Sequence, residues 1–399
     1  RWMASISMDE AVLRLPALIW GSFAVLFLFL TVDLVLQDHR NGRKISLLTA
    51  LFLALSPVHI FYSQEIRFYA ALTFFYWLNT YLLLRYLSKS TFVNLALLTV
   101  FCLIGVYFHP FVFLVYINAA LFFFLSKSYG YTEDSEGFLH RRWKVFRSLV
   151  ISGAIVLAGF FVWFFTQKPN ISQEHELFRY AGSFASFLLS GMGWRGYEWC
   201  ENSVLFGSWE FFLSVTFIIG ILFMIGDRGF LKKVLPMLLA YVIQVFLIVM
   251  ADFLRGYWVA LRQIIHLAPF LFVVNAFMLV NLSDRIMERT HIFSQKKWLK
   301  FGLNTLVILS VIACAIPKIF EYYHVGKSNA RQLIDLILEY QPNPSKVLIN
   351  PGYNSIVYEI YFKEYYGITG TSFVRTELNN LADFQGSDHF LIAQVLLTA

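Results

Sequence analysis

LPALIWGSFAVLFLFLTVDLVLQ, residues Leu15 to Gln37, carries a single charged side chain, Asp33, in twenty-three positions. A helix crosses the roughly 30 Å hydrocarbon core of a bilayer with about 20 apolar residues at about 1.5 Å each. Leu15–Gln37 is long enough to do so, and Asp33 lies close enough to its end to reach water. Outward from this segment the pattern repeats at 46–62, 68–87, 92–108, 110–125, 148–166, 210–226, 234–251, 264–282 and 301–317. The expected fold class is a polytopic α-helical membrane protein of about ten spans, with ends placed to within about three residues. Composition agrees: 58% of the chain is hydrophobic, 19% aromatic and only 14% charged, against about 25% charged in ordinary soluble domains. A soluble globule has too little interior for that much apolar surface.

The formal charge of +7 does not signal a nucleic-acid partner, because the cations sit in connecting loops. One alternating set of loops holds eighteen Lys and Arg residues. The other holds six: Arg67, Lys168, Arg179, Arg195, Arg255 and Arg262. The positive-inside rule makes the first set cytoplasmic, so both ends of the chain and the second set are expected outside.

Between the sixth and seventh spans the outside loop 167–209 contains Gln173-Glu-His-Glu176, the aromatic run Trp194-Arg-Gly-Tyr-Glu-Trp199, and an amphipathic stretch, Leu177 to Leu189, suited to lying along the membrane surface. Residues 1–317 thus form the membrane domain. Residues 318–399 read as a small extracytoplasmic α/β domain, expected to be incomplete. It has helical spacing at Asn329–Glu339, a strand at Lys346–Asn350, a turn at Pro351-Gly352, a helix at Ser355–Phe362 and a strand-like run at Gln394–Ala399. The start, with neither an initiator Met nor a signal-peptide pattern, is also expected to be truncated. Cys102, Cys200 and Cys314 are too scattered for a metal cluster or a disulfide framework. A Walker loop and a dinucleotide fingerprint are both missing, so ATP-driven chemistry has no support.

Ionisable groups at membrane depth are functional candidates because burying them is costly, and here they gather on the outside. The hairpin Ser56–Tyr69 (SPVHIFYSQEIRFY) carries Glu65, Arg67 and Tyr69, with Glu65 and Tyr69 one helical turn apart if the third span starts there. Tyr107-Phe-His-Pro110 turns at the same level and leaves His109 at the boundary. The loop before the ninth span supplies Arg255, Arg262 and His266. Guanidinium groups hold phosphate bidentately, and a carboxylate can act on a hydroxyl nucleophile. Each residue also has a plain structural reading. Glu65 and Arg67 can pair with each other, His109 can bond a backbone carbonyl at a helix end, Arg255 and Arg262 can snorkel to headgroups, and Glu174 to Glu176 can be a solvated helix start rather than a metal site.

Ser56–Ala70 (SPVHIFYSQEIRFYA) resembles the second-hairpin signature of the GT-C superfamily of polyprenyl-phosphate-sugar-dependent glycosyltransferases, which includes bacterial relatives of protein O-mannosyltransferases and the lipid A aminoarabinose transferase. Leu13-Arg-Leu-Pro16 resembles the Arg-Leu-Pro-Ser segment ahead of the family's second helix, and Tyr107-Phe-His109 resembles a Tyr-x-His element. The span pattern extends the resemblance over nearly the whole chain. It implies inverting transfer of a sugar from a polyprenyl-phosphate donor to the hydroxyl of a lipid, glycan or protein acceptor. The reaction would take place on the periplasmic or extracellular face of a bacterial inner membrane, with membrane lipids as surroundings. Some branches use a divalent cation and others none. The resemblance also implies that the catalytic general-base acid lies in a loop upstream of residue 1, leaving Glu65, Arg67, Tyr69 and His109 to line the cleft and Arg255, Arg262 and His266 to hold the lipid phosphate. A lipid or glycolipid transporter or flippase is the main alternative. It would favour Gly/Pro-broken helices in two matching halves, a symmetry this sequence lacks. A non-catalytic assembly or polymer-export subunit is a third reading.

Overall fold

The structure is a computed structural model, and it describes residues 10–65, 67–125, 138–167, 188–189, 208–255, 263–289, 297–324, 347–350, 374–375 and 391–394. The chain divides into two compact units, one of helices within Glu10–Phe320 and one containing the strands.

The helical unit comprises α1 (Glu10–Val35), α2 (Gly42–Ala54), α3 (Pro57–Tyr62), α4 (Tyr69–Ser88), α5 (Phe92–Phe108), a 3-10 turn at Pro110–Leu114, α6 (Val115–Leu125), α7 (Phe138–Gln167), α8 (Ser208–Gly226), α9 (Arg228–Arg255) and α10 (Ala268–Arg289), with α11 (Lys297–His324) continuing past its boundary. Five segments are long and apolar enough to cross a membrane: Val12–Val35, Arg142–Val162, Trp209–Gly226, Arg228–Phe253 and Ile265–Glu288. The protein is therefore a polytopic helical membrane protein. Phe92–Phe108, Pro110–Leu125 and Phe301–Pro317 form shorter apolar helices.

The second and third expected spans differ from the rest for identifiable reasons. The segment 46–62 breaks at Ser56-Pro57. Proline cannot continue α2 but suits the first turn of α3, where the Ser56 hydroxyl accepts the His59 N–H at 3.4 Å. The third, α4, has Tyr76, Asn79, Thr80 and Tyr81 among its apolar residues because it is an interior helix, with seventeen of its twenty residues buried. Within the bundle α1 packs along α4, α5 flanks α4, and α10 runs against α2 and α8. Helices α1, α5, α7, α8, α9 and α11 instead expose large apolar side chains such as Phe23, Val100, Phe165, Leu222, Phe246 and Phe301, as lipid contact requires.

Two glycines permit close crossings. A Cβ on Gly21 of α1 would strike the Ser63 side chain, and one on Gly105 of α5 would sit 2.7 Å from Val112 Cγ1 and 2.9 Å from Phe75 Cβ. Small residues of this kind let membrane helices approach backbone to backbone. Around these crossings Trp20 packs against Phe74 at 4.9 Å and Phe75 at 5.5 Å, and Phe75 stacks on Phe108 at 5.2 Å.

In the second unit β1 (Val347–Asn350) pairs in parallel with β2 (Val374–Arg375) on one side and β3 (Leu391–Gln394) on the other, giving the order β2-β1-β3. The expected strand at 346–350 is β1; β3 reaches the first residue of the strand-like run expected at 394–399, and 395–399 lie outside the described residues. The expected helices at 329–339 and 355–362 and most of the loop 167–209 lie outside the described residues.

Candidate active site

Antiparallel helices place the turns α1–α2, α8–α9 and the end of α10 at one end of the bundle, here called the basic end. The α3–α4 turn, the α5–α6 turn and the start of α10 lie at the other. The candidate residues that the structure describes all lie at this second, histidine-bearing end.

Glu65 and Arg67 sit in the turn before α4. Arg67 Nε lies 3.5 Å from Glu65 Oε2, with side-chain exposures of 53% and 25%. The ion pair anticipated as their structural role is therefore present, and at that exposure it contributes about 0–1 kcal/mol. Glu65 and Tyr69 do not share a helix, because α4 begins at Tyr69. Tyr69 is buried, its ring 4.7 Å from that of Tyr62 and 4.5 Å from that of Phe68.

Phe68 connects this turn to the next element: its ring lies 5.0 Å from the His109 imidazole. His109 ends α5 and is buried. Its Nδ1 accepts the Phe111 N–H at 3.2 Å, capping the 3-10 turn that follows. The bond is to a backbone N–H, not to the carbonyl expected of a helix-end histidine. A bare Nδ1 leaves the neutral ring's proton on Nε2.

His266 belongs to the short 3-10 turn Ile265–Leu267 that leads into α10 and is fully buried. Its Nδ1 lies 3.2 Å from the Gln263 carbonyl oxygen, which can only accept, so Nδ1 bears the proton. Nε2 is buried without a hydrogen-bond partner. The ring is 4.7 Å from that of Tyr76 and 6.2 Å from that of Phe111, which itself lies 4.7 Å from His109. Glu65, Arg67, His109 and His266 thus form one connected neighbourhood bridged by Phe68 and Phe111. The side chain of Arg255, at the end of α9, and the whole of Arg262 lie outside the described residues.

The structure adds residues that the sequence reading passed over. Glu210 in the first turn of α8 and Asp252 near the end of α9 are carboxylates buried toward this end. His59 of α3 is buried, with Nε2 bonded to the Gly21 carbonyl at 3.0 Å and Nδ1 unpartnered. Deeper in the bundle Tyr76 donates to Gln244 Oε1 at 2.9 Å, Gln244 Nε2 to Asn118 Oδ1 at 2.9 Å, and Asn118 Nδ2 back to the Tyr76 hydroxyl at 3.0 Å and to Thr80 Oγ1 at 3.1 Å. Lone amides in apolar runs, such as Asn118 and Gln244, were the signal available for this ring.

Among the described residues no group of three or more His, Cys, Asp or Glu side chains could hold a metal ion. The chain matches no protein-family model and no curated protein.

Proposed function

We propose that this chain is the membrane domain of a glycosyltransferase that moves a sugar from a polyprenyl-phosphate donor to an acceptor hydroxyl at the outer face of the membrane, with inversion. The acceptor is a lipid, glycan or protein. The observation that carries the reading is the convergence of three sequence-distant turns, at Glu65–Arg67, His109 and His266, on one neighbourhood at one end of the bundle. Displacing a lipid phosphate builds negative charge on the leaving group, which cationic side chains stabilise. Arg67 is exposed at the edge of this neighbourhood, Arg255 ends α9, and Arg262 belongs, by sequence, to the segment between α9 and His266. Glu65 shapes the acceptor side. The carboxylate that takes the acceptor's proton is not assigned to a residue of this chain.

The ten-span topology, with the basic loops cytoplasmic and the strand-containing unit outside, belongs to the same proposal. The eighteen-to-six division of Lys and Arg between alternating loops supports it. The transporter alternative gains little from the polar ring around Tyr76. Its hydroxyl and amide groups bond one another in a closed circuit.

The test is transfer itself. The full-length protein, reconstituted in liposomes, is supplied with a panel of radiolabelled undecaprenyl-phosphate sugars and a membrane extract as acceptor. Label leaving the lipid fraction with at least one donor is expected. Lipid translocation without any transfer would establish the transporter instead.

A further inference from the structure

A cavity of about 220 Å³ lies between α2, α10 and α11, near the basic end of the bundle. Its lining follows the same order on all three helices. Lys44 of α2, Ser283 of α10 and Asn304 of α11 stand toward the basic end, and Leu47, Val280 and Ile308 lie about one turn deeper on the same helices. The remaining wall is leucine and valine. Water needs about two to four polar partners to stay in such a space, whereas dry apolar cavities of about 150 Å³ take up hydrocarbon. Leu47 and Ile308 are themselves exposed, so the cavity opens on the apolar outer surface of the bundle. Along α11 the stripe Asn304, Val307, Val311 and Ala315 faces inward. Val311 and Ala315 are fully buried, but Asn304 and Val307 only partly so. The helix is sealed against its neighbours farther from the basic end and stands off from them at the cavity.

The polar groups suit a phosphate. Lys44 Nζ lies 3.6 Å from Asp284 Oδ1, an ion-pair distance too long for a hydrogen bond, while the Asn41 amide holds the other oxygen at 2.6 Å. The Lys44 side chain is 42% exposed, so its ammonium keeps donors for an acceptor outside the protein. Arg43 is exposed in the same turn, and the first turn of α11 contains Lys297 and Lys300. Lysine and arginine clustered at a membrane surface favour anionic lipids; a zwitterionic headgroup brings its own ammonium and gains less. We propose that the cavity holds an acyl chain of one anionic phospholipid from the leaflet at the basic end. Its phosphate rests on Lys44, and its chain fills the gap that separates α11 from α2 and α10. The site lies at the opposite end of the bundle from the histidines. It rests on the membrane placement of α2 and α11 in the ten-span reading, not on sugar transfer.

The full-length protein, delipidated in detergent, is titrated with dioleoyl phosphatidylglycerol or dioleoyl phosphatidylcholine and studied by native mass spectrometry, with no sugar donor present. The parent should hold one phosphatidylglycerol about tenfold more tightly than phosphatidylcholine, the difference expected of one charge-assisted contact. Lys44→Gln should remove most of that preference and Lys44→Arg should keep it, whereas loss of the Asp284 contact alone would affect both lipids alike. Val280→Phe fills the cavity, and Ile308→Trp covers its mouth from an exposed position that folding tolerates. Each should cost the tight phosphatidylglycerol and, with it, the rise in unfolding temperature that this lipid brings. Retention of the tight lipid by both variants would mark it as ordinary surface lipid and overturn the proposal. Equal affinity for the two phospholipids overturns it as well. So does displacement of phosphatidylglycerol by equimolar undecaprenyl phosphate, which would give the cavity to the carrier lipid. Because binding is read without a donor, each outcome holds whether or not the chain transfers sugar.

Discussion

Among the described residues, the two ends of the helical bundle use their polar side chains in opposite ways. At the basic end they pair off. Asn41 donates to Asp284 at 2.6 Å, Lys44 lies 3.6 Å from the other oxygen of the same carboxylate, Lys233 meets Asp38 at 3.2 Å, and Arg40 meets Glu288 at 3.5 Å. His39 lies 3.4 Å from Asp227, above the Phe230–Phe277 stack at 3.7 Å. These bonds tie the α1–α2 turn to the α8–α9 turn and to the end of α10. At the histidine end, by contrast, His59 Nδ1, Gln263 Oε1 and His266 Nε2 are buried with no partner. Buried polar atoms without partners are costly, and each asks for an explanation such as strain, a catalytic role or a bound water or ion. One end is a latch, and the other is where the proposed sugar donor would sit. Substitutions should therefore separate them: changes at the latch lower stability, and changes at the histidine end lower turnover.

The largest expected effect lies at the histidine end. Glu65→Gln keeps the shape of the side chain and removes its charge, and transfer should fall about ten- to a hundredfold, the loss of one hydrogen bond to a charged group, about 1.5–3 kcal/mol, on the acceptor side. Its ion pair with Arg67 is half exposed, so the unfolding temperature in detergent should stay close to that of the parent. A large drop in unfolding temperature together with full turnover per folded molecule would place Glu65 with the latch and remove the distinction between the ends.

How much of this was legible beforehand depended on whether the signal was local. Helices such as α1, α5 and α9 follow directly from apolar runs, and the loop count identified the basic end. Clustering of Glu65, Arg67, His109 and His266 at one end followed from the alternation of the spans. The tautomers did not, because they depend on the Phe111 N–H and the Gln263 carbonyl, backbone groups whose positions no residue type announces. The interior place of α4 was also hidden. Its Asn79 and Thr80 lower its hydropathy, and only their burial in the bundle, with Thr80 bonded by Asn118 of α6, shows that they face protein. The buried carboxylates Glu210 and Asp252 read in sequence as ordinary helix-end acids.

The next effect is at the latch. Asp284 is 9% exposed and serves Asn41 and Lys44 together. Asp284→Ala leaves the buried Asn41 amide without its acceptor, and losing hydrogen bonds to a charged group should cost about 2–3 kcal/mol of stability. Thermal unfolding monitored by tryptophan fluorescence would measure it, and turnover of the molecules that remain folded should be unchanged. Gly42→Ala tests the same corner through packing. Its new Cβ would meet the Leu36 carbonyl oxygen, backbone that has no alternative rotamer, and a loss of about 1–3 kcal/mol is expected. If either variant were fully stable yet inactive, the basic end would belong to the site and the contrast would fail.

The smallest effect tests whether charge or hydrogen bonding holds the latch. Partial burial pushes the Asp227 carboxyl up, but the Phe230 N–H at 2.9 Å, the His39 imidazole and the Gly229 N–H outweigh it and hold the pKa below its ordinary value. A carboxylate held low stabilises the folded state above the unfolded pKa of about 3.9, and the contribution disappears as pH falls through the folded value. Asparagine caps a helix about as well as aspartate. Asp227→Asn should therefore keep the cap of α9 and lose only the charge-dependent part, a few tenths of a kcal/mol at this exposure. Asp227→Ala should lose about 1 kcal/mol with the cap itself. Unfolding of the three proteins at pH 7 and pH 3 would show the parent and the asparagine variant converging in acid while the alanine variant stays below both. Convergence of all three would mean that the contact with His39, and not the cap, fastens this turn.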